Sequence, residues 1–61
     1  METTYELQSW NYSCDLVDQE HGLSLVQAKI TAKYLLEINQ TIATVVIYDD
    51  DLREAARFNR E

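Results

Sequence analysis

Residues 45–58, "VVIYDDDLREAARF", admit two readings, and the choice between them decides the fold. On local propensity, "DLREAARFNRE" is a helix with an aspartate as its N-cap. In the alternative, "YDDDL" is a hairpin turn and "REAARFN" a fourth strand, with Glu54, Ala56 and Phe58 alternating against Arg53, Ala55 and Arg57. The preceding "TIATVVIY" (41–48) is β-branched at six of eight positions and reads as a strand. Its faces are Ala43, Val45 and Ile47 on one side and Ile42, Thr44, Val46 and Tyr48 on the other. Neither face is polar, which predicts a central strand whose second face is at least partly covered. A helix packed on one side favours a full sheet, so the hairpin is the preferred reading.

Upstream, Ser24 and Gln27 have the spacing of a capping box, and Leu23 is placed for a hydrophobic staple. "LVQAKITAKYLLEIN" then runs without a breaker to Asn39. Leu25, Ala28, Ala32, Leu35 and Leu36 share one side of this helix and form its core stripe. Val26, Ile30 and Tyr34 form a second stripe roughly opposite, where a helix on a single sheet should be polar. Before the helix, "TYELQSWNY" (4–12) alternates Tyr5, Leu7 and Ser9 against Glu6, Gln8 and Trp10, the period of a strand. "NYS" is a turn, "CDLVDQ" (14–19) a short second strand, and "EHG" ends it. The expectation is one domain, residues 1–61, of α+β class, in the order β-β-α-β-β with one helix across an antiparallel sheet.

A chain of 61 residues buries about 60 % of its unfolded surface and gains from extra support. Cys14 is the lone cysteine, which excludes an intrachain disulfide and argues against structural zinc. A second copy of the chain is the remaining support, and Val26, Ile30 and Tyr34 are the candidate homodimer seam. The opening "METTYELQ" is acidic and polar, and the longest apolar run is far too short to span a bilayer. A cytoplasmic protein is expected.

Eleven acids against five bases give a net charge of −6, unevenly placed. Residues 1–28 carry five acids and no Lys or Arg. Residues 34–52 carry Glu37 and Asp49 to Asp51, again with no base. Such a chain is not expected to bind nucleic acid or anionic membrane, since both need basic surface. A basic partner is its complement. Trp10 and Tyr12, beside Glu6, Asp15 and Asp18, are of the amphipathic type that anchors protein interfaces.

Little in the chain supports catalysis. Asp49-Asp50-Asp51 lacks the alternate ligands, central glycine and distal glutamate of a calcium loop. Cys14 with His21 is the minimal nucleophile pair, but Cys14 lies among acids, which quench a thiol's reactivity. There is no phosphate-binding glycine loop and no zinc spacing, so no enzyme, metal or cofactor is expected.

Taken together, size, acidity and the layout "YELQSWNY … GLSLVQAKITAKYLL … TIATVVIYDDD" resemble the small acidic proteins with which phages and mobile elements disarm host nucleic-acid enzymes. Anti-CRISPR proteins are the foremost example and uracil-DNA glycosylase inhibitors the next. The resemblance implies a DNA mimic in the host bacterial cytoplasm that inhibits a basic nucleic-acid-binding complex. Asp15, Asp18, Glu20, Asp49, Asp50 and Asp51 are then its phosphate surrogates. The alternative is a homodimeric structural or regulatory module.

Overall fold

Three connections in this chain are fixed by an Asn or Asp side chain that bonds backbone two residues on. The computed structural model describes residues 3–60. Among them, strands β1 (Tyr5–Asn11) and β2 (Leu16–Leu23) precede helix α1 (Leu25–Ile38), and strands β3 (Ile42–Tyr48) and β4 (Glu54–Asn59) follow. Residues 45–58 therefore form a hairpin. All pairings are antiparallel, in the order β2-β1-β3-β4. The expected α+β architecture, β-β-α-β-β with one helix on a single sheet, is the one adopted.

The two hairpin loops have the same construction. Asn11 Oδ1 accepts from the amides of Ser13 and Asp15, and Asp49 Oδ1 accepts from those of Asp51 and Arg53, all at 2.9 Å. Asn11 N–H donates to Asp15 O, and Asp49 N–H to Arg53 O. Each loop places its third residue, Cys14 (φ 63°) or Leu52 (φ 62°), in the left-handed region. This is the three-residue hairpin in which that position normally favours glycine. Asn39 closes the α1–β3 connection similarly, its Oδ1 accepting from the amide and hydroxyl of Thr41. With these devices the chain turns three times using no proline and one glycine.

The helix is capped as its sequence predicts. Ser24 Oγ accepts from Gln27 N–H, and Gln27 Oε1 accepts from Ser24 N–H. Ala28 and Ala32 are fully buried, and their small side chains let the helix lie close across β1, β3 and β4. Register sets what they meet. Leu7, Ile47 and Ala56 form one cross-sheet row, and Ser9, Val45 and Phe58 the next. With Ile42 and the half-buried Leu25, Leu35 and Leu36 they make the core. Each fully buried aliphatic side chain contributes roughly 1.5–3 kcal/mol. The Oγ of buried Ser9 finds no hydrogen-bond partner among the described residues.

Arg60 completes the helix's other end. Its guanidinium donates to the carbonyls of Leu36, Asn39 (2.9 Å) and Ile42 (2.9 Å), and its own N–H donates to Ala43 O. One side chain thus satisfies helix-terminal carbonyls and sets a positive charge at the negative end of the helix dipole.

Three expectations need correction. Strand β2 runs over Leu16–Leu23, not 14–19, because Asn11 holds Asp15 in the loop and a bulge carries the strand past Glu20. Cys14 accordingly lies exposed in the hairpin loop rather than in a strand, and His21 lies in a strand rather than in a loop. Ile42 belongs to the core and not to the outer face, because a register shift between Trp10 and Asn11 turns it inward. The outer face carries no second layer among the described residues. Val46 is nonetheless only 3 % exposed, sunk in a hollow that Trp10, Tyr48 and Arg57 also line.

Candidate functional site

Sheet order segregates charge. Strands β2 and β1 come from the base-free first 28 residues and form one edge of the sheet. The bases lie elsewhere: Lys29 and Lys33 on α1, Arg53 and Arg57 on or beside β4 at the opposite edge, and Arg60 under the helix end. Along the acidic edge, Asp15 sits at one end in the β1–β2 loop. Asp18 and Glu20 follow on β2, opposite Ser9 and Leu7, and therefore on the helix side of the sheet. The helix lies over the other three strands, so Asp18 is exposed and Glu20 only half-buried. They are two residues apart, or about 6.6 Å along the strand.

Asp49 to Asp51 stand at the other end of the sheet from Asp15, because β1 and β3 are antiparallel. The two acidic segments therefore do not merge into one cluster. Asp49 and Asp50 instead line a hollow of about 170 Å³ with Glu6, His21 and Gly22, which places them against the far end of β2. Asp15, Asp18 and Glu20 thus form a row along the β2 edge, and Asp49 to Asp51 stand apart on the β3–β4 turn at the end of the sheet, with Asp49 and Asp50 facing His21 and Gly22 across the hollow. From Asp15 to Gly22 the row spans about 23 Å at the strand rise.

Glu6 anchors the same end of the edge. A bulge sets it opposite both His21 and Gly22, and Gly22 takes φ +72° to allow this. His21 Nδ1 lies 3.1 Å from Glu6 Oε1, while Gln8 and Gln19 donate to Oε2 at 2.5 and 2.7 Å. The Gln8 hydrogen bond, followed by those from Gln19 and His21 and the His21 charge, holds the Glu6 carboxyl below its ordinary value of 4.5 against an opposing desolvation. At the opposite edge the Glu54 carboxylate, 2.8 Å from Arg57 Nη2, raises the Arg57 pKa.

Of the aromatic candidates, Tyr12 is exposed at the tip of the β1–β2 loop, beside the start of the acidic row. Trp10 is half-buried and lines a hollow of about 240 Å³ on the outer face of the sheet, with Thr44, Val46 and Tyr48. Val26, Ile30 and Tyr34 are exposed on the outer face of α1, and Ile38 extends their row by one more turn. The spacing i, i+4, i+8 points on to Ile38 once the helix is known to reach it.

The carboxylates of Asp49, Asp50 and Asp51 come within 4.8 Å of one another. One oxygen of Asp49 is already committed to two amides, which leaves a poor donor set for a cation. Cys14 and His21 lie at opposite ends of β2 and do not form a pair. Among the described residues, no helix is long and apolar enough to cross a membrane. Comparison with protein-family models, with characterised proteins and with solved structures found no match to this chain.

Proposed function

We propose that this protein is a non-catalytic inhibitor that occupies the nucleic-acid groove of a basic host protein, its edge carboxylates standing where phosphates would lie. The observation that carries the reading is the row Asp15, Asp18 and Glu20 on an edge formed by two strands without Lys or Arg, with Asp49 and Asp50 of the β3–β4 turn set against its far end. A nucleic-acid groove holds clustered Lys and Arg that repel one another, and an acidic strip relieves that repulsion. Asp18 and Glu20, about 6.6 Å apart on one face of β2, present two carboxylates in line along the strand. Tyr12 supplies an amphipathic anchor at the end of the strip, and Trp10 one on the outer face. The target is a guide-RNA nuclease of the CRISPR type, with a DNA glycosylase as the alternative, met in the bacterial cytoplasm.

The test is kinetic. With a protein captured from a bacterial lysate, the association rate should fall steeply from about 50 to about 500 mM salt, as screening shortens the range of attraction. Duplex DNA should compete for the same site. The triple variant Asp15→Asn, Asp18→Asn, Glu20→Gln should bind roughly tenfold more weakly, at about 0.2–1 kcal/mol per exposed pair. A rate flat in salt, with no competition by DNA, rules out phosphate mimicry.

A further inference from the structure

The outer face of α1 presents Val26, Ile30, Tyr34 and Ile38 in one row, each between 56 and 67 % exposed. At 100° per residue the row is centred about 160° from buried Ala28 and Ala32, so it points away from the sheet and adds nothing to the core. Four large apolar side chains in contact are about as much as a soluble monomer leaves bare. We propose that this face is a two-fold interface on which a second copy of the chain packs its own α1 antiparallel.

Two features of the helix select that occupant and that direction. The row is self-complementary: a two-fold axis at Ala32 sets Val26 against Ile38 of the other copy and Ile30 against Tyr34, one aliphatic partner in every pair. The charges beside the row are ordered along the axis, with Lys29 before its midpoint, Lys33 one residue past it and Glu37 near its C-terminal end. All three lie on the same flank. Antiparallel packing keeps this flank of both copies on one side and brings Lys29 beside Glu37 of the other copy, twice over, against a single Lys33–Lys33 approach near the axis, whereas a parallel two-fold puts the two flanks on opposite sides and makes no Lys29–Glu37 pair. A helix of 14 residues is about 21 Å long, so the contact is smaller than a standard interface and the dimer is of micromolar strength. The interface uses α1 alone and no residue of β2. It stands independently of what the acidic edge binds.

Sedimentation of the whole chain should give a mass that rises from 7.1 kDa toward twice that value between about 5 and about 500 μM. Ile30→Asp, at a solvent-facing position, should shift the midpoint upward tenfold or more while circular dichroism stays unchanged (about 1.4 kcal/mol per decade). Lys29→Glu alone and Glu37→Lys alone should each weaken the dimer, and the two together should restore it. A mass fixed at 7.1 kDa, or a dimer undiminished by Ile30→Asp, overturns the interface. Single exchanges without effect, or a double variant as weak as either single, overturn the antiparallel arrangement.

Discussion

Replacing Arg60 tests how much of this fold rests on one side chain near the end of the chain. Its guanidinium bonds the carbonyls of Leu36, Asn39 and Ile42, two of them at the C-terminus of α1, where no basic residue lies in the last turn. Hydrogen bonds to charged groups are worth about 1.5–3 kcal/mol each when intact partners are compared. The three here share one cation, and water can reach part of the vacated space. Adding a dipole contribution of about 0.3–1 kcal/mol, we expect Arg60→Ala to cost about 2–3 kcal/mol. A domain of this size has roughly 3–9 kcal/mol in total, so the loss is a large fraction.

Arg60→Lys separates the two components. Lysine keeps the charge beside the helix end but cannot span three carbonyls with a planar fork, so it should recover less than half of the loss. Urea titration followed by Trp10 fluorescence reads both variants. With a slope near 1 kcal/mol per molar, Arg60→Ala should move the midpoint down by about 2–3 M. An Arg60→Ala variant within about 0.5 kcal/mol of the parent would show that water replaces the guanidinium at no cost. A lysine variant equal to the parent would leave only the dipole.

Two further outcomes follow from the acidic edge. Asp49→Ala removes the acceptor of two loop amides and should cost about 1 kcal/mol in thermal unfolding, whereas Asp50→Asn and Asp51→Asn should leave stability unchanged or raise it; equal losses at all three positions would refute the division of roles. Glu6 has its folded pKa below the unfolded value, so its ionised form stabilises the fold above about pH 4.5, and the contribution is lost as pH falls through the folded value. The stability gap between the parent and Glu6→Gln should therefore be full at neutral pH and close in acid, and a gap constant with pH in denaturant titrations would mean that the glutamate acts by shape alone.

The fold was legible wherever hydrophobic period and cap chemistry agreed. Ser24 with Gln27, the core stripe from Leu25 to Leu36 and the β-branched run 41–48 each stand where they were read. Strand β2 was read short because its sequence lacks a period. It is an edge strand with four successive exposed residues, so no burial pattern marks it, and Gly22 looks like a stop when it is a bulge. The position of Ile42 depended on a register shift that no local signal reports. The role of Arg60 has no local sequence signal, because its partners lie 18 to 24 residues away in sequence. The acids of the candidate site were all visible as residues. Their order along one edge was not, since it depends on which strands lie outermost.

The reason three aspartates stand together at 49–51 is narrowed by comparing the two hairpins of the chain itself. Their loops bond identically, with Asn11 in the place of Asp49, Tyr12 and Ser13 in the places of Asp50 and Asp51, and Cys14 in the place of Leu52. The first loop achieves this geometry with no charge at any of the three positions. The turn therefore needs a side-chain oxygen at its first residue and nothing acidic after it. Asp50 and Asp51 are exposed and repel each other and Asp49, and among the described residues their carboxylates accept no backbone hydrogen bond in the loop. A charge on this loop, against the far end of β2, is therefore not explained by how the turn folds. At the other end of the edge the equivalent loop exposes Tyr12 instead, an amphipathic aromatic beside Asp15. One turn design thus serves both hairpins, exposing an aromatic at one end of the sheet and charge at the other.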